Sequence, residues 1–378
     1  MAEGQVHGHC DDRFAGVRDV FANNLKTGVD VGASFAATIE GEMVVDLWGG
    51  FADTAGTQPW ARDTIVNVYS TTKTMTALTA LLLADRGVLD LHARVAKYWP
   101  EFAANGKADV KVSHLMSHTA GLSGWDTPLK PEDIYDWDRT CALLAVQAPW
   151  WTPGEKIGYH ALSQGFLVGE VIRRASGKTV GTVFREEIAG PLGADFHIGL
   201  DARHDARVGE LLPPNVGLGQ GQDPASIGGR TLNNPKLTAL EPRTRAWRAA
   251  EIPAAGGIGN ARSVAEVQTV LANGGVSKGK RIMSDKGTWR ALEPQFEGVD
   301  MVLGLPIRHG LGYGLPSEIV PLPSKNLCFW GGWGGSLVIA DFDKRACFAY
   351  VMNKMGDGTT GDLRAFQLIM PMYQALMA

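Results

Sequence analysis

Hydrophobic positions repeat with two different periods along this chain, and the periods are segregated. Residues 11–27 carry Phe14, Val17, Val20 and Phe21 with helical spacing. "VGASFAAT" and "EMVVDLWGG" follow as two strands around Glu40-Gly41, the pattern of a hairpin. Residues 70–86 predict a helix, and Met75, Leu78, Leu81, Leu82 and Leu83 mark it as buried. Residues 90–250 predict mostly helical pieces broken by Pro and Gly, among them 131–148, with Pro131 at its start, and 160–175. Within this part, 201–250 has few apolar runs and many Gly, Pro and Arg, which predicts a long loop or lid. "SVAEVQTVLANGG" at 263–275 predicts a helix opened by a Ser263/Glu266 capping box and ended by Gly274-Gly275. "NLCFWGG", "GSLVIADF" and "ACFAYVMN" then read as three strands, with "DKR" turning between the last two, and residues 361–377 close as an amphipathic helix.

Strands therefore sit at both ends of the chain and helices in the middle. The simplest packing is an α/β fold of the α+β type, an antiparallel sheet flanked by the terminal helices with a mostly helical domain inserted into it. The expected domains are a discontinuous sheet domain, 1–66 and 255–378, and a helical domain, 67–254, that includes the lid region 201–250. With 378 residues and 45% hydrophobic content the chain can bury a large core. Its net charge of −4 and lack of a basic run argue against nucleic acid or an anionic membrane as partner. No apolar stretch approaches the ~20 residues of a spanning helix. The opening "MAEGQVHGHCDDRF" has no apolar core of a secretory signal, and Cys10, Cys141, Cys328 and Cys347 are scattered, so free thiols in the cytoplasm are expected. The histidines have no metal-ligand spacing, and neither a metal nor a cofactor is expected.

Two S-x-x-K pairs are present, Ser70/Lys73 and Ser277/Lys280. The second lies in "GVSKG", formally the G-x-S-x-G of a nucleophile elbow, with Asp285, Asp300 and His309 downstream. An elbow needs a strand before its serine and a helix after it. Ser277 instead follows the end of a helix in a Gly- and Lys-rich turn, and reads as a solvated surface turn. Ser70 sits at a helix start, where free N–H groups favour an oxyanion. Lys73 lies one turn on, and pressed among apolar neighbours its pKa falls, so that it can take a proton from Ser70. The motif alone leaves open a capping serine beside a snorkelling lysine. Two more segments bear on the choice: "PGEKIGYHALSQGFLVGEVI" places Tyr159 just before a helix, and "CFWGGWGGSLVIADFD" places a glycine run at a strand edge, where a backbone can approach a ligand.

Together these segments resemble the serine β-lactamase and penicillin-binding superfamily, nearest the class C β-lactamases and the family VIII carboxylesterases. S-x-x-K is Ser70-Thr71-Thr72-Lys73, Y-x-N appears as Tyr159-His160-Ala161, and K-T-G appears as Trp330-Gly331-Gly332, the W-G-G form of family VIII. "LMSHTAGL", "GGIGNARSVAEV" and "HGLGYGL" extend the resemblance from about residue 15 to the C-terminus. It implies that Ser70 is the acyl-accepting nucleophile, that Lys73 and Tyr159 form the proton-transfer pair, and that the N–H groups of Ser70 and Trp333 form the oxyanion hole. Which of Lys73 and Tyr159 is the base stays open, and His118 is structural in such proteins. Trp125, Trp330 and Trp333, with Gly331 and Gly332, are the expected substrate-binding residues.

Two departures steer the substrate. Trp330 lacks the cation that the K-T-G lysine offers a carboxylate, and Ala161 lacks the amide of Y-x-N. The expected partner is a small neutral ester with a short to medium acyl chain, cleaved by a serine carboxylesterase through an acyl-enzyme. The alternatives are a β-lactamase or D-alanyl-D-alanine peptidase, an acyltransferase using the same acyl-enzyme, or a non-catalytic binding protein. The oligomeric state is not legible in the sequence.

Overall fold

The computed structural model of the protein describes residues 5–319 and 322–377. Its centre is a nine-stranded antiparallel sheet in the order Val6–Cys10, Glu42–Gly50, Gly32–Ile39, Ala346–Met352, Leu337–Asp341, Leu327–Gly331, Gly314–Leu315, Pro306–His309, Phe296–Val299. The first hairpin turns at Glu40 and Gly41, whose φ values of 51° and 90° are the left-handed pair that a tight two-residue turn requires. Its inner strand, Gly32–Ile39, pairs with Ala346–Met352, so the two ends of the chain meet in the middle of the sheet.

Side-chain alternation along Ala346–Met352 puts helices on both faces. Phe348 packs on Tyr373 of the terminal helix Leu363–Met377, with ring centroids 5.2 Å apart. Cys347 faces the other way, beside Thr38, whose hydroxyl bonds Thr269 of the helix Ala261–Ala272 at 2.6 Å. The helix Thr72–Asp85 is buried from Thr72 to Leu83, and it packs against Ala261–Ala272 on one side and Ser163–Ser176 on the other. Among the described residues no helix is long and apolar enough to cross a membrane.

Four local expectations change. The 131–148 segment is two pieces, a 3-10 turn Pro131–Tyr135 and a helix Trp137–Val146, because Asp136 is extended and spends its carboxylate capping the Arg139 N–H at 3.1 Å. The 160–175 helix begins at Ser163, leaving Tyr159 to Leu162 outside it. The 201–250 region is not one loop: it holds short helices at Ala202–Arg207, Ile227–Leu232 and Arg245–Ala249, anchored by isolated buried side chains such as Leu211, Leu237 and Trp247 rather than by apolar runs. Ser277 is buried rather than solvated, its hydroxyl donating to the Glu266 carbonyl at 2.6 Å, and the exposed part of its hairpin runs from Lys278 to Arg281.

The cap of the helix Ala261–Ala272 also differs. Asn260, not Ser263, is the N-cap: it accepts the Ser263 N–H at 3.0 Å, and the Ser263 hydroxyl accepts the Asn260 N–H at 3.1 Å. Glu266 instead meets Lys278 at 3.1 Å. Asn260→Ala is therefore expected to lower stability by about 1–2 kcal/mol, and Asn260→Asp, which keeps the accepting oxygen, by much less. Urea unfolding midpoints at unchanged slope check this; equal losses in both variants would remove the capping role.

Candidate active site

Ser70 lies in a 3-10 turn, Tyr69–Thr71, that runs into the buried helix Thr72–Asp85. Tyr69 holds a φ of 44°, a conformation that costs a non-glycine residue about 1–2 kcal/mol and persists only when its surroundings over-determine it. They do so here. Val68 donates its N–H to the Gly257 carbonyl at 2.9 Å, and the Val68 carbonyl accepts the Ser336 hydroxyl at 2.9 Å. Thr71 and Ser336 hydroxyls bond each other at 2.9 Å. The turn is thus tied to the sheet on one side and to residues 254–257 on the other.

Lys73, one helical turn on, is 2% exposed and has no carboxylate partner among the described residues. Its Nζ stands 3.0 Å from Ser70 Oγ, 2.7 Å from the Ala161 carbonyl and 2.9 Å from the Ala254 carbonyl. Burial pushes its ammonium well below the usual lysine range. Two of the three free tetrahedral directions of the nitrogen point at carbonyls, which only accept, and the third points at Ser70. In the neutral amine that third direction holds the lone pair.

Tyr159 also reaches Ser70: its hydroxyl donates to Ser70 Oγ, and its ring centroid lies 4.7 Å from Lys73 Nζ. Burial pushes the phenol up, so it keeps its proton at neutral pH. Its backbone N–H donates to Asp300 Oδ1 at 3.0 Å, an oxygen that also takes the N–H groups of Val302 and Leu303. The ring rests against His118 and Trp330, at centroid distances of 5.0 and 5.6 Å. His118 is buried and accepts the His160 N–H on Nδ1 at 3.0 Å. His160 accepts the Leu122 N–H on Nε2 at 3.1 Å and faces the Gly158 carbonyl with Nδ1 at 2.6 Å, which places its proton on Nδ1. Burial pushes His160 down to about 3 and His309 to about 4, so neither carries charge at neutral pH. Among the described residues the Ser277 hydroxyl bonds a backbone carbonyl rather than a basic side chain, and His118 makes no hydrogen bond to Ser70.

The glycine run closes the site. A Cβ on Gly332 would lie 2.2 Å from the Val68 carbonyl and 3.2 Å from the Ser70 nitrogen, so only glycine lets the strand end come this close. Among the described residues neither the Ser70 N–H nor the Trp333 N–H has a protein acceptor. A small apolar cavity opens beside Ser70, with walls from Tyr69, Leu162, Leu218, Leu237, Trp333 and Thr359. A larger cleft around Asn273, Trp289 and Arg345 shares no residue with it. Among the described residues no cluster of three His, Cys, Asp or Glu side chains is placed to hold a metal ion.

The structure thus brings Ser70, Lys73, Tyr159 and Trp333 together, and it moves three expected substrate contacts away. Trp125 is core: its indole donates to the Thr140 carbonyl at 3.3 Å and its ring packs on Phe166. Trp330 is buried behind Tyr159 and against His309, because a strand residue there points away from the cavity that Trp333, beyond the strand end, lines. Gly331 abuts the Thr360 carbonyl, so it serves backbone packing rather than the cavity wall. Leu218 and Leu237 went unrecognised in the sequence, since single leucines in a Gly- and Pro-rich segment carry no periodic signal. The Ala161 and Ala254 carbonyls are backbone groups with no sequence signal at all.

Comparison with known proteins places this geometry. The Beta-lactamase family model matches residues 18–368. Esterase/beta-lactamase LipL of Mycobacterium tuberculosis is 35% identical over 364 residues, 93% of this chain and 83% of that protein. A crystal structure of a family VIII carboxylesterase superposes with a TM-score of 0.93 at 44% identity, covering 98% of this chain and all of the other. A penicillin-binding protein homolog from Caulobacter crescentus superposes with a TM-score of 0.91 at 39% identity, over 98% of this chain and 100% of that one.

The close approach at Gly332 has a measurable consequence. Gly332→Ala must push the strand end off the Ser70 turn, because the conflict is with backbone rather than with a movable side chain. It is expected to lower kcat for ester hydrolysis at least ~100-fold, the scale of one lost oxyanion donor, in protein that remains folded by circular dichroism. Near wild-type turnover would show that the contact is dispensable.

Proposed function

Because the chain belongs to the Beta-lactamase family, we propose that it works as a carboxylesterase on neutral esters with short to medium acyl chains, through an acyl-enzyme on Ser70. It is a serine hydrolase acting on ester bonds, in keeping with the esterase similarity over nearly its whole length. The observation that carries the finer reading is the position of Ser70 Oγ between a buried amine and a buried phenol, at the mouth of a cavity with no charged wall.

In this reading Lys73 is the resting base. Its lone pair takes the Ser70 proton as Oγ bonds to the ester carbonyl carbon, and the oxyanion forms at the Ser70 and Trp333 N–H groups. Tyr159, already donating to Oγ, gives its proton to the departing alkoxide and is reprotonated from the Lys73 ammonium. Water then repeats the cycle on the acyl-serine and releases the acid. His118, His160 and His309 stay neutral, and His118, packed against the other two, rests on the Tyr159 ring.

Charge supports a neutral substrate. Trp330 offers no cation, and the arginines of the neighbouring segment are engaged elsewhere. Arg230 pairs with Asp126 and lies over Trp150, Arg243 pairs with Glu210, and Arg245 and Arg248 share Asp205. A carboxylate beside the scissile bond would be buried without a partner, at a cost of several kcal/mol. The unpaired thiols of Cys10, Cys141, Cys328 and Cys347 suit a reducing compartment such as the cytoplasm.

The test compares substrates and serines together. kcat/KM for p-nitrophenyl butyrate is expected to exceed that for benzylpenicillin at least ~100-fold, a differential barrier of about 2.7 kcal/mol. Ser70→Ala should lose both hydrolysis and fluorophosphonate labelling, while Ser277→Ala keeps both. Equal efficiencies would transfer the reading to a β-lactamase, and labelling retained in Ser70→Ala would remove the nucleophile.

A pH profile tests the base. Lys73 must be neutral to accept a proton, and its pKa is lowered, so kcat/KM should rise with pH to a plateau reached well below the ordinary lysine value of 10.5. Tyr159 must keep its proton, and its pKa is raised, so no alkaline limb from its ionisation should appear below pH ~10. Tyr159→Phe is expected to cost ~10²–10⁴-fold in kcat while keeping the acid limb. An acid limb that vanishes in Tyr159→Phe would assign the base to the tyrosine instead.

A further inference from the structure

The peptide that presents the Trp333 N–H is gripped from its other end. The Gly332 carbonyl accepts the N–H groups of Gly335 and Gly361, both at 3.1 Å. One residue beyond Trp333, the Gly334 N–H donates to the Gly358 carbonyl at 2.9 Å, and the Gly334 carbonyl accepts the Gly356 N–H at 2.8 Å. That carbonyl also accepts Arg364 Nη2 at 2.7 Å.

Arg364 stands in the first turn of the terminal helix, and only 11% of its side chain is exposed. Its guanidinium ties together three further groups. Nη1 donates to Asp30 Oδ1 at 2.9 Å and to the Lys354 carbonyl at 2.8 Å. Nε and Nη2 both donate to Asp362 Oδ2, at 2.9 and 2.5 Å. Tyr350 donates its hydroxyl to the same Asp30 oxygen at 2.6 Å, fixing the carboxylate in turn. The loop is moulded on this cluster: Gly335 has a φ of 126°, and a Cβ there would lie 2.4 Å from Asp362 Oδ2 and 2.6 Å from Arg364 Nη2. Arg364 does not line the cavity beside Ser70.

We propose that Arg364, clamped by Asp30 and Asp362, is a positioning residue that holds the 332–335 turn so that the Trp333 N–H meets the oxyanion. The proposal rests on the reading of Ser70 as nucleophile and of Trp333 as oxyanion donor. A planar fork with five donors serves Gly334, Lys354 and two carboxylates at once; a lysine, with one point charge, cannot. A displacement well under the length of a hydrogen bond at Gly334 moves the Trp333 N–H off the place where charge develops, and that affects the transition state more than the bound ester.

The experiment uses the full chain with p-nitrophenyl butyrate, an alkyl boronic acid as a tetrahedral mimic on Ser70, and thermal unfolding as a control. Arg364→Lys and Arg364→Ala are expected to lower kcat about 10–100-fold, short of the loss of a whole oxyanion donor, with KM changed less than about twofold. Boronate affinity should fall in step with kcat. Added guanidinium ion should restore part of the activity of Arg364→Ala and none of that of Arg364→Lys. Asp30→Asn, which loosens the clamp and keeps the arginine, is expected to lower kcat severalfold at unchanged KM even if an Arg364 variant fails to fold. Folded variants with kcat and boronate affinity within about twofold of the parent overturn the proposal, as does a loss of activity that only tracks the folded fraction. Absence of fluorophosphonate labelling at Ser70 in the parent enzyme overturns the underlying nucleophile reading and this proposal with it; a labelled parent with unchanged variants overturns this proposal alone.

Discussion

Taking an ammonium group out of water without a carboxylate beside it shifts the balance toward the neutral amine, and Lys73 is held in that situation by the packing around it. The helix that carries it is buried along nearly its whole length, between the layer that covers the sheet and the helices of the middle segment. Two carbonyls, from Ala161 and Ala254, take the amine's hydrogens and leave its remaining direction to Ser70. In the proposed mechanism the serine is activated by desolvating this neighbour rather than by importing a charge.

The same logic runs through the surrounding side chains. Tyr159 is buried and protonated, and it is backed by an aromatic group of His118, His309 and Trp330 that carries no charge at neutral pH. A cation in place of Trp330 would stabilise a phenolate and draw an anionic substrate. The indole does neither, which supports the proposal that the amine rather than the phenol takes the serine proton. Asp300 spends one oxygen on three backbone N–H groups, so it fixes the tyrosine's backbone and makes no ion pair with the lysine.

Opposite the amine, the site depends on backbone approach. Residues 331–335 come within contact of the Ser70 turn only because Gly332 has no side chain, and the turn keeps its unusual Tyr69 conformation only because Ser336 and Gly257 grip Val68. The strand that brings Gly332 here, Leu327–Gly331, pairs with Leu337–Asp341 and Gly314–Leu315, all far from Ser70 in sequence, so the site's geometry is a property of the tertiary fold.

Period and punctuation made much of this legible in advance. The hairpin around Glu40-Gly41, the buried helix after Ser70, the three C-terminal strands and the terminal helix all follow from local patterning, because each buries one face or both with a regular repeat. The S-x-x-K spacing brought Ser70 and Lys73 together for the same local reason, a single helical turn. What only the tertiary structure decided depends on contacts far apart in sequence. Asp136 broke a helix by capping the next one, Asn260 displaced Ser263 as a cap, and isolated leucines of the 201–250 region became cavity walls. Trp330 and Trp333 are both expected at the substrate, yet one is on the strand and buried behind Tyr159, and the other is past its end and faces the cavity. The carbonyls that hold Lys73 and the free N–H of Trp333 belong to the backbone, which every residue carries, so no residue type marks them; folding alone selects which of them meet Ser70.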